Sequence, residues 1–329
     1  MSSVARAAGN ALHTPVLVER CIDLLAPALN SDNAVLIDCT LGMGGHTQAF
    51  LEHFPHLTVI GIDRDTQALE LSKERLAAFG DRVRYVHATY DHVKDVADEY
   101  GNDGTVHGVF MDLGVSSLQL DDTERGFSYA NDAPLDMRMD ATSGQSAHVI
   151  LNNASVQELT RILRDYGEER FASRIAKDIV AQRAHTPLTR TSQLVDIVKG
   201  AIPAPARRTG GNPAKRTFQA LRIAVNDELN VLKRAIHRAV ESLDVGGRIV
   251  VESYQSLEDK IVKSAFAQGA TSSTPLGLPV ELAGHEPYIK LLTRGAEKAD
   301  MEEQEKNSRS ASVRLRGAEK LREGWISWQ

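Results

Sequence analysis

The chain has 329 residues, of which 42% are apolar, so it can bury a sizeable core in two domains or in one large elaborated domain. No apolar run approaches the roughly 20 residues of a membrane span, and the first residues do not resemble a secretory signal. The net charge of −6 gives no hint of a nucleic-acid partner. The two cysteines, Cys21 and Cys39, lack metal-ligand spacing and are expected to be buried thiols of a reducing cytoplasm.

The first predicted strand is followed by a glycine-rich turn. The apolar run 35–38 ends in Asp38, after which Gly42, Gly44 and Gly45 precede a helix that starts near Thr47. Such a turn lets the backbone come close to a nucleotide-like ligand, with the helix N-terminus directed at it. A glycine turn also occurs where a strand and a helix merely pack closely, so this motif alone leaves both interpretations open.

A second predicted strand, residues 57–62, ends at Asp63. An acid at the tip of the second strand, about 20 residues after the turn, is where dinucleotide-binding folds hold a ribose hydroxyl pair. A carboxylate suits this task because it can accept two hydrogen bonds at once. We expect Asp65 to cap the helix that follows. Together, the turn and Asp63 predict a nucleoside-cofactor site.

Strands and helices alternate as far as residue 112, which predicts a parallel sheet with helices on both faces. The further predicted elements are a helix over 66–79, a strand over 83–87, a helix over 93–100 and a strand over 106–112. Beyond them come helices over 156–166, 168–183, 192–199 and 224–243, and strands over 247–253, 288–293 and 311–316. We therefore predict a sheet domain formed by residues 1–117 and 223–329, with an inserted helical domain over 118–222.

The glycine turn differs from a dinucleotide fingerprint. Thr40 stands where the first glycine would stand, and no second βαβαβ half follows. Asp38 at the strand end favours S-adenosylmethionine, because a nearby acid is useful to a ligand with a charged amino-acid end. Tyr90, just past the third strand, is placed to stack on adenine, and Asp112 ends the fourth strand at the ligand-binding edge. The alternatives are a packing aromatic for Tyr90 and a helix cap for Asp112.

Ten blocks along almost the whole chain carry a resemblance to one family. They include DLGVSSLQLD at 112–121 and PLDMRMD at 134–140, and the others lie at 13–16, 38–46, 61–65, 124–128, 166–171, 216–222, 256–259 and 309–310. Together they resemble the bacterial 16S rRNA (cytosine-N4)-methyltransferases, the RsmH or MraW family. Generic methyltransferases do not share the middle blocks, so the resemblance is specific.

The resemblance implies a Rossmann-like class I S-adenosylmethionine-dependent methyltransferase sheet with an inserted helical domain. It implies N4-methylation of one cytidine, position 1402, in the decoding centre of 16S rRNA in the small ribosomal subunit. The family's cofactor contacts fall on Gly44, Gly45, His46, Asp63, Tyr90, Asp112 and Gln119. Tyr90 keeps the ring of the phenylalanine usual in the family. Tyr254 and Gln255 replace a frequent Phe-His, which puts in doubt a catalytic histidine after the fifth strand.

The chemistry demands precise positioning, because the exocyclic amine of cytosine is a weak nucleophile. We hypothesise that Asp112, with the carbonyls of residues 113–116, orients this amine; a pure cofactor role for Asp112 stays open. The segment 199–222 is basic and contains no acid, so it is the candidate RNA contact. Its RNA-binding candidates are Arg207, Arg208, Lys215 and Arg216, with a solvated basic loop as the alternative.

Two other classes of function stay open. One is a methyltransferase of the same fold that acts on DNA or a small molecule, and the other is a non-catalytic ribosome-assembly factor. No metal site is expected, because His13, His46 and His87 lack zinc-ligand spacing. We expect a cytoplasmic protein without a membrane partner, and we leave open whether it is a monomer or a homodimer.

Overall fold

The computed structural model divides into two compact units, and the first unit contains one seven-stranded sheet. This unit comprises residues 1–114 and 231–329, the second unit comprises residues 115–230, and the structure describes residues 15–207, 212–275 and 280–324. The strands described are β1 Val35–Asp38, β2 Thr58–Asp63, β3 Val83–His87, β4 Val106–Asp112, β5 Leu243–Ser253, β6 Ile289–Leu291 and β7 Arg314–Lys320. Their order across the sheet is β3-β2-β1-β4-β5-β7-β6. Strands β1 to β5 are parallel, and β7 lies antiparallel between β5 and β6.

The helices described, in chain order, are α1 Val18–Leu29, α2 Gly45–His53, α3 Thr66–Leu76, α4 Val93–Tyr100, α5 Ser117–Asp121, α6 Ala147–Asn153, α7 Val156–Gly167, α8 Ala172–Arg183, α9 Thr191–Ala201, α10 Ala204–Arg207, α11 Lys215–Asn226, α12 Glu228–Glu241, α13 Ser256–Gly269 and α14 Met301–Lys306. Helices α5 to α11 belong to the second unit, and the division between the units falls within α12. Within the described ranges, no helix has both the length and the apolar character needed to cross a membrane.

Strands β1 and β2, in the interior of the sheet, are nearly continuous buried runs because both faces of the sheet are covered there. All four residues of β1 are buried. Alternate residues point to opposite faces, so Leu36 joins an apolar cluster with α1, α2 and α3, whereas Ile37 joins a cluster with α4, α12 and α13. The predicted α/β sheet is confirmed.

The strand register brings the acidic strand ends to one edge. Asp38 pairs with Gly61 of β2, so Asp63 lies just beyond it, and Asp112 at the end of β4 pairs directly with Glu252 of β5. In a parallel sheet these are the carboxyl ends, where open α/β folds bind ligands. The sheet therefore gathers carboxylates that are far apart in the sequence at a single ligand-binding edge.

Several predicted boundaries differ from the structure: the helix over 168–183 begins at Ala172, the strand over 247–253 begins at Leu243, and the helix over 66–79 ends at Leu76. Two further differences have a local cause. The single helix predicted over 224–243 is instead α11 followed by α12, because Asp227 between them adopts a left-handed conformation with φ +52°. The strand predicted over 311–316 begins later, at Arg314, because residues 308–312 form a 3₁₀ turn.

The second unit is helical and has its own apolar core. Leu163, Ile175 and Leu221 are fully buried in it, and α11 packs against α7. The predicted end of the insertion, residue 222, falls inside α11, and the unit extends to residue 230. Because α11 contributes Phe218 and Leu221 to this core, it belongs with the helices that precede it.

Gly61 of β2 offers a test of the packing beneath the glycine turn, because a Cβ there would lie 2.6 Å from Leu41 Cδ2. We expect Gly61→Ala to lower the free energy of unfolding by about 1–3 kcal/mol through overpacking. Leu41→Ala removes the clashing atoms, so the same alanine should cost less in that background. Urea denaturation of the full double-mutant cycle measures this.

Gly295→Ala is the matched control, because a Cβ there would meet nothing within 4 Å. It should leave stability nearly unchanged. An equal penalty for Gly61→Ala with and without Leu41 would contradict the assigned contact.

Candidate active site

Two carboxylates, the buried Asp38 and the half-buried Asp63, fix the glycine turn, residues 39–45, between β1 and α2. Asp38 Oδ1 accepts from the Thr40 N–H at 3.1 Å, and Asp38 Oδ2 accepts from the Thr47 hydroxyl at 2.6 Å. Asp63 Oδ2 accepts from the Gly42 N–H at 2.7 Å. The acids that end β1 and β2 therefore hold the backbone of the turn in place.

The glycines of the turn serve both packing and ligand access. Gly44 has φ +76°, and a Cβ there would lie 2.9 Å from Leu76 Cδ1, so this residue packs the turn closely on α3. A Cβ on Gly42 would meet nothing nearer than the Thr40 carbonyl at 3.8 Å, which leaves that side open to a ligand. Gly45 begins α2, so its N–H has no partner within the helix. Close packing explains Gly44, whereas open space and a helix N-terminus fit an adenosine-type cofactor.

Asp63 has hydrogen-bonding capacity left for a ribose. Its Oδ1 accepts from the Asp65 N–H at 2.8 Å, as its Oδ2 does from Gly42, and each oxygen keeps a second lone pair. Burial raises the pKa of Asp63 to about 6, although these two backbone hydrogen bonds act to lower it. Asp65 caps α3 by accepting from the Gln67 N–H at 3.1 Å.

Tyr90 lies three residues beyond the end of β3, which pairs with β2 through His87 and Asp63. It is half-buried and packs against the apolar cluster that contains Ile37. This position is compatible with both interpretations from the sequence, a packing aromatic and a stacking platform, because the Tyr90 ring supports the core and is still partly accessible.

His46 is not a surface residue of the turn. Its side chain is only 8% exposed, and its ring lies 4.6 Å from that of Phe110, centroid to centroid. Its Nε2 lies 2.9 Å from the Val16 carbonyl oxygen and 3.5 Å from Glu252 Oε2, and its Nδ1 lies 3.7 Å from Asp112 Oδ2. The imidazole thus sits between the two carboxyl groups that end β4 and β5.

Asp112 is tied to the glycine turn and stays partly exposed. Its N–H donates to Thr40 Oγ1 at 2.7 Å, so Thr40 links the turn to β4. The Tyr254 hydroxyl hydrogen-bonds to its carboxylate, and 31% of the Asp112 side chain is exposed. Burial raises the pKa of Asp112, while His46 and Tyr254 act in the opposite direction.

Sequence reasoning missed Glu252 and Cys21. Glu252 is fully buried in β5, and its Oε1 accepts from the Cys21 thiol at an S···O distance of 3.6 Å. Burial and the neighbouring Asp112 raise the pKa of Glu252 well above its usual range. The available signal was an acid inside the apolar run 249–253, where a solvated residue is not expected.

Gln119 lies in the second unit, where it closes the start of its own helix. Its side-chain oxygen accepts from the Ser116 N–H at 3.1 Å, and Ser116 Oγ accepts from the Gln119 N–H at 3.3 Å. Gln119 and Ser116 thus form a reciprocal capping box, and Gln119 is buried. Its cofactor contact stays a prediction.

The basic candidates of the second unit differ in their surroundings. Arg207 and Lys215 are exposed, and Arg216 donates to the Glu168 carbonyl at 2.9 Å. Arg208 lies outside the described residues. Arg222, at the end of the basic segment, forms a salt bridge with Glu228 at 2.8 Å and is therefore a weaker candidate for a phosphate contact.

A family model described as the MraW methylase family matches residues 10–321. The chain is 62% identical over 312 residues to a protein of Beutenbergia cavernae named ribosomal RNA small subunit methyltransferase H, covering 95% of this chain and 93% of that one. It is 58% identical over 311 residues to a protein of Kocuria rhizophila with the same name, covering 94% and 95%.

Among solved structures, the chain is similar to an rRNA methylase from Streptococcus thermophilus at 13% identity and a TM-score of 0.41. The similarity covers 95% of this chain and 99% of that one.

The raised pKa of Asp63 predicts that cofactor affinity depends on pH. If its ionised carboxylate accepts the ribose hydroxyls, S-adenosylmethionine should bind with constant affinity above about pH 7 and about 10-fold more weakly at pH 5. Affinity should fall at low pH because protonation of Asp63 below pH 6 removes its capacity to accept hydrogen bonds from the ribose. Equilibrium titration across this pH range is the measurement.

Asp63→Asn should bind weakly and lose the pH dependence, whereas the exposed Asp32→Asn should keep both the affinity and the dependence. A pH profile in Asp63→Asn equal to that of the parent chain would refute the role of Asp63.

Proposed function

Because the chain belongs to the MraW methylase family, we propose that it transfers the methyl group of S-adenosylmethionine to N4 of one cytidine in the 16S rRNA of the small ribosomal subunit. Members of this family use S-adenosylmethionine as their cofactor. The observation that carries the proposed chemistry is Asp112, partly exposed at the carboxyl edge of the sheet and linked through Thr40 to the glycine turn. The names of the relatives support an rRNA substrate.

Three parts of the first unit would hold the cofactor. Asp63 would accept the ribose hydroxyls, the ring of Tyr90 would stack on the adenine, and the backbone from Gly42 to Gly45 would lie against the ligand. When bound, the cofactor supplies an electrophilic methyl group on a sulfonium.

Asp112 would act on the substrate amine. The Tyr254 hydroxyl hydrogen-bonds to its carboxylate, and His46 Nδ1 lies 3.7 Å from it, so the hydrogen bond would restrain the carboxylate before substrate arrives. A carboxylate held in this way accepts amine hydrogens, turns the nitrogen lone pair toward the methyl group and disperses the positive charge that develops. We propose that proton loss to water follows the transfer.

The second unit would supply the RNA contacts. Arg207 and Lys215 are exposed in a segment without acids, which suits a phosphate backbone better than a small neutral substrate. A methyltransferase acting on DNA or a small molecule, and a non-catalytic assembly factor, remain the competing functions that the first experiment below separates.

The proposal predicts N4-methylcytidine as the product. Purified chain incubated with labelled S-adenosylmethionine should modify small subunits or their rRNA and leave DNA unmodified, as nucleoside analysis would reveal. Asp112→Asn should lower turnover at saturating cofactor by about 100-fold, the scale of removing one preorganised polar group. Asp81→Asn, an exposed acid of the same unit, is the control and should retain turnover.

A product other than N4-methylcytidine, or label on DNA alone, would refute the proposed substrate. Full turnover of Asp112→Asn would refute the role of Asp112, whereas the proposed identity of the substrate would still stand.

If Arg207 and Lys215 contact phosphates, the affinity for RNA should depend on salt concentration. Removing Arg207 and Lys215 together by alanine substitution should weaken RNA binding and flatten its dependence on log salt by about 0.7 for each phosphate that the protein no longer neutralises. The charge-matched control is Lys260→Ala with Lys263→Ala, two exposed lysines of α13 in the first unit. Filter binding at several salt concentrations gives the slopes, and equal slopes for the two double variants would contradict this docking surface.

A further inference from the structure

A buried cluster in the first unit contains three different kinds of metal ligand. Cys21 comes from α1, His46 from α2 and Glu252 from β5, and all three are buried. One donor atom from each lies within 4.8 Å of the other two. The sequence prediction of no metal site relied on spacing along the chain, and the fold brings these ligands together from positions far apart in the sequence.

Two distances within the cluster, each from a different oxygen of Glu252, are close to those between ligands of a tetrahedral ion. Cys21 Sγ lies 3.6 Å from Glu252 Oε1, and His46 Nε2 lies 3.5 Å from Glu252 Oε2. Bonds of about 2.3 Å to sulfur and about 2.0–2.2 Å to nitrogen or oxygen place tetrahedral zinc ligands roughly 3.3–3.6 Å apart.

The cluster also contains an unsatisfied atom. Among the described residues, Glu252 Oε2 has no hydrogen-bond partner, although its side chain is fully buried. Such an atom is costly in a protein interior and calls for an explanation such as an ion.

The surroundings of His46 resemble those of a metal-bound imidazole. A carbonyl oxygen can only accept, so His46 Nε2 carries a proton when it faces Val16 without a metal. A metal would replace that proton, and the remaining Nδ1–H would face Asp112 Oδ2, at 3.7 Å. Metal-bound histidines commonly donate their second ring N–H to a carboxylate, and Asp112 would have to approach by a few tenths of an ångström to accept it.

We propose that Cys21, His46 and Glu252 form a buried site for a divalent cation of the zinc class. The donor set selects this class, because a thiolate and an imidazole favour zinc over magnesium or calcium. The ion would join α1, α2 and β5 and would hold His46 against Asp112. This inference does not rest on the proposed methyl transfer, and its test uses metal binding as the readout.

The test is a titration of the untagged, chelator-treated full chain with Co²⁺ under anaerobic conditions. One cobalt per chain should bind and give a thiolate-to-cobalt charge-transfer absorption, which Zn²⁺ then abolishes by displacement. Cys21→Ala should lose this absorption, whereas Cys39→Ala, which changes the other buried cysteine, should keep it. Glu252→Gln should weaken cobalt binding at least 10-fold.

Absence of the thiolate band in the parent chain at saturating cobalt would overturn the proposal without any variant. Retention of the band in folded Cys21→Ala, or its loss in folded Cys39→Ala, would overturn it as well. Should Cys21→Ala fail to fold, Glu252→Gln decides: unchanged cobalt affinity there refutes the site, and weakened affinity together with a band in Cys39→Ala supports it.

Discussion

The hydrogen bond from the Gly42 N–H to the Asp63 carboxylate is the interaction on which the carboxyl edge depends. It joins the glycine turn to the tip of β2, and Asp38 holds the same turn from the end of β1 through Thr40. Thr40 in turn accepts from the Asp112 N–H, so the tips of three parallel strands are connected through a single turn. Without these acceptors, the turn would carry buried backbone groups without partners.

Sequence reasoning predicted the parallel sheet and its acidic strand ends because strands covered on both faces must be continuous apolar runs that stop at polar residues. It also predicted the cap at Asp65, where side-chain chemistry is local. It failed where the deciding contact lay elsewhere in the chain. The helix breaks at Asp227 because this residue is left-handed, and no glycine at that position signals the break in the sequence. The pairing of Glu252 with Cys21 follows only from the fold.

His46 shows how the site extends beneath its surface. The sequence assigns it to the cofactor turn, and the backbone does begin α2 there, but the imidazole points inward between Asp112 and Glu252. The carboxylate proposed to orient the substrate amine therefore rests on a buried polar cluster behind it. Changes in that cluster reach the reacting edge through one hydrogen-bonding ring, since buried polar networks transmit charge strongly at low dielectric.

The most direct test of the account is a structure of the full chain bound to S-adenosylhomocysteine, read at the ribose. The account predicts both ribose hydroxyls within about 2.6–3.2 Å of the Asp63 carboxylate oxygens, with the adenine against Tyr90. A ribose held by other residues, with Asp63 still bonded only to the backbone of Gly42 and Asp65, would contradict the claim that this edge of the sheet is the cofactor site.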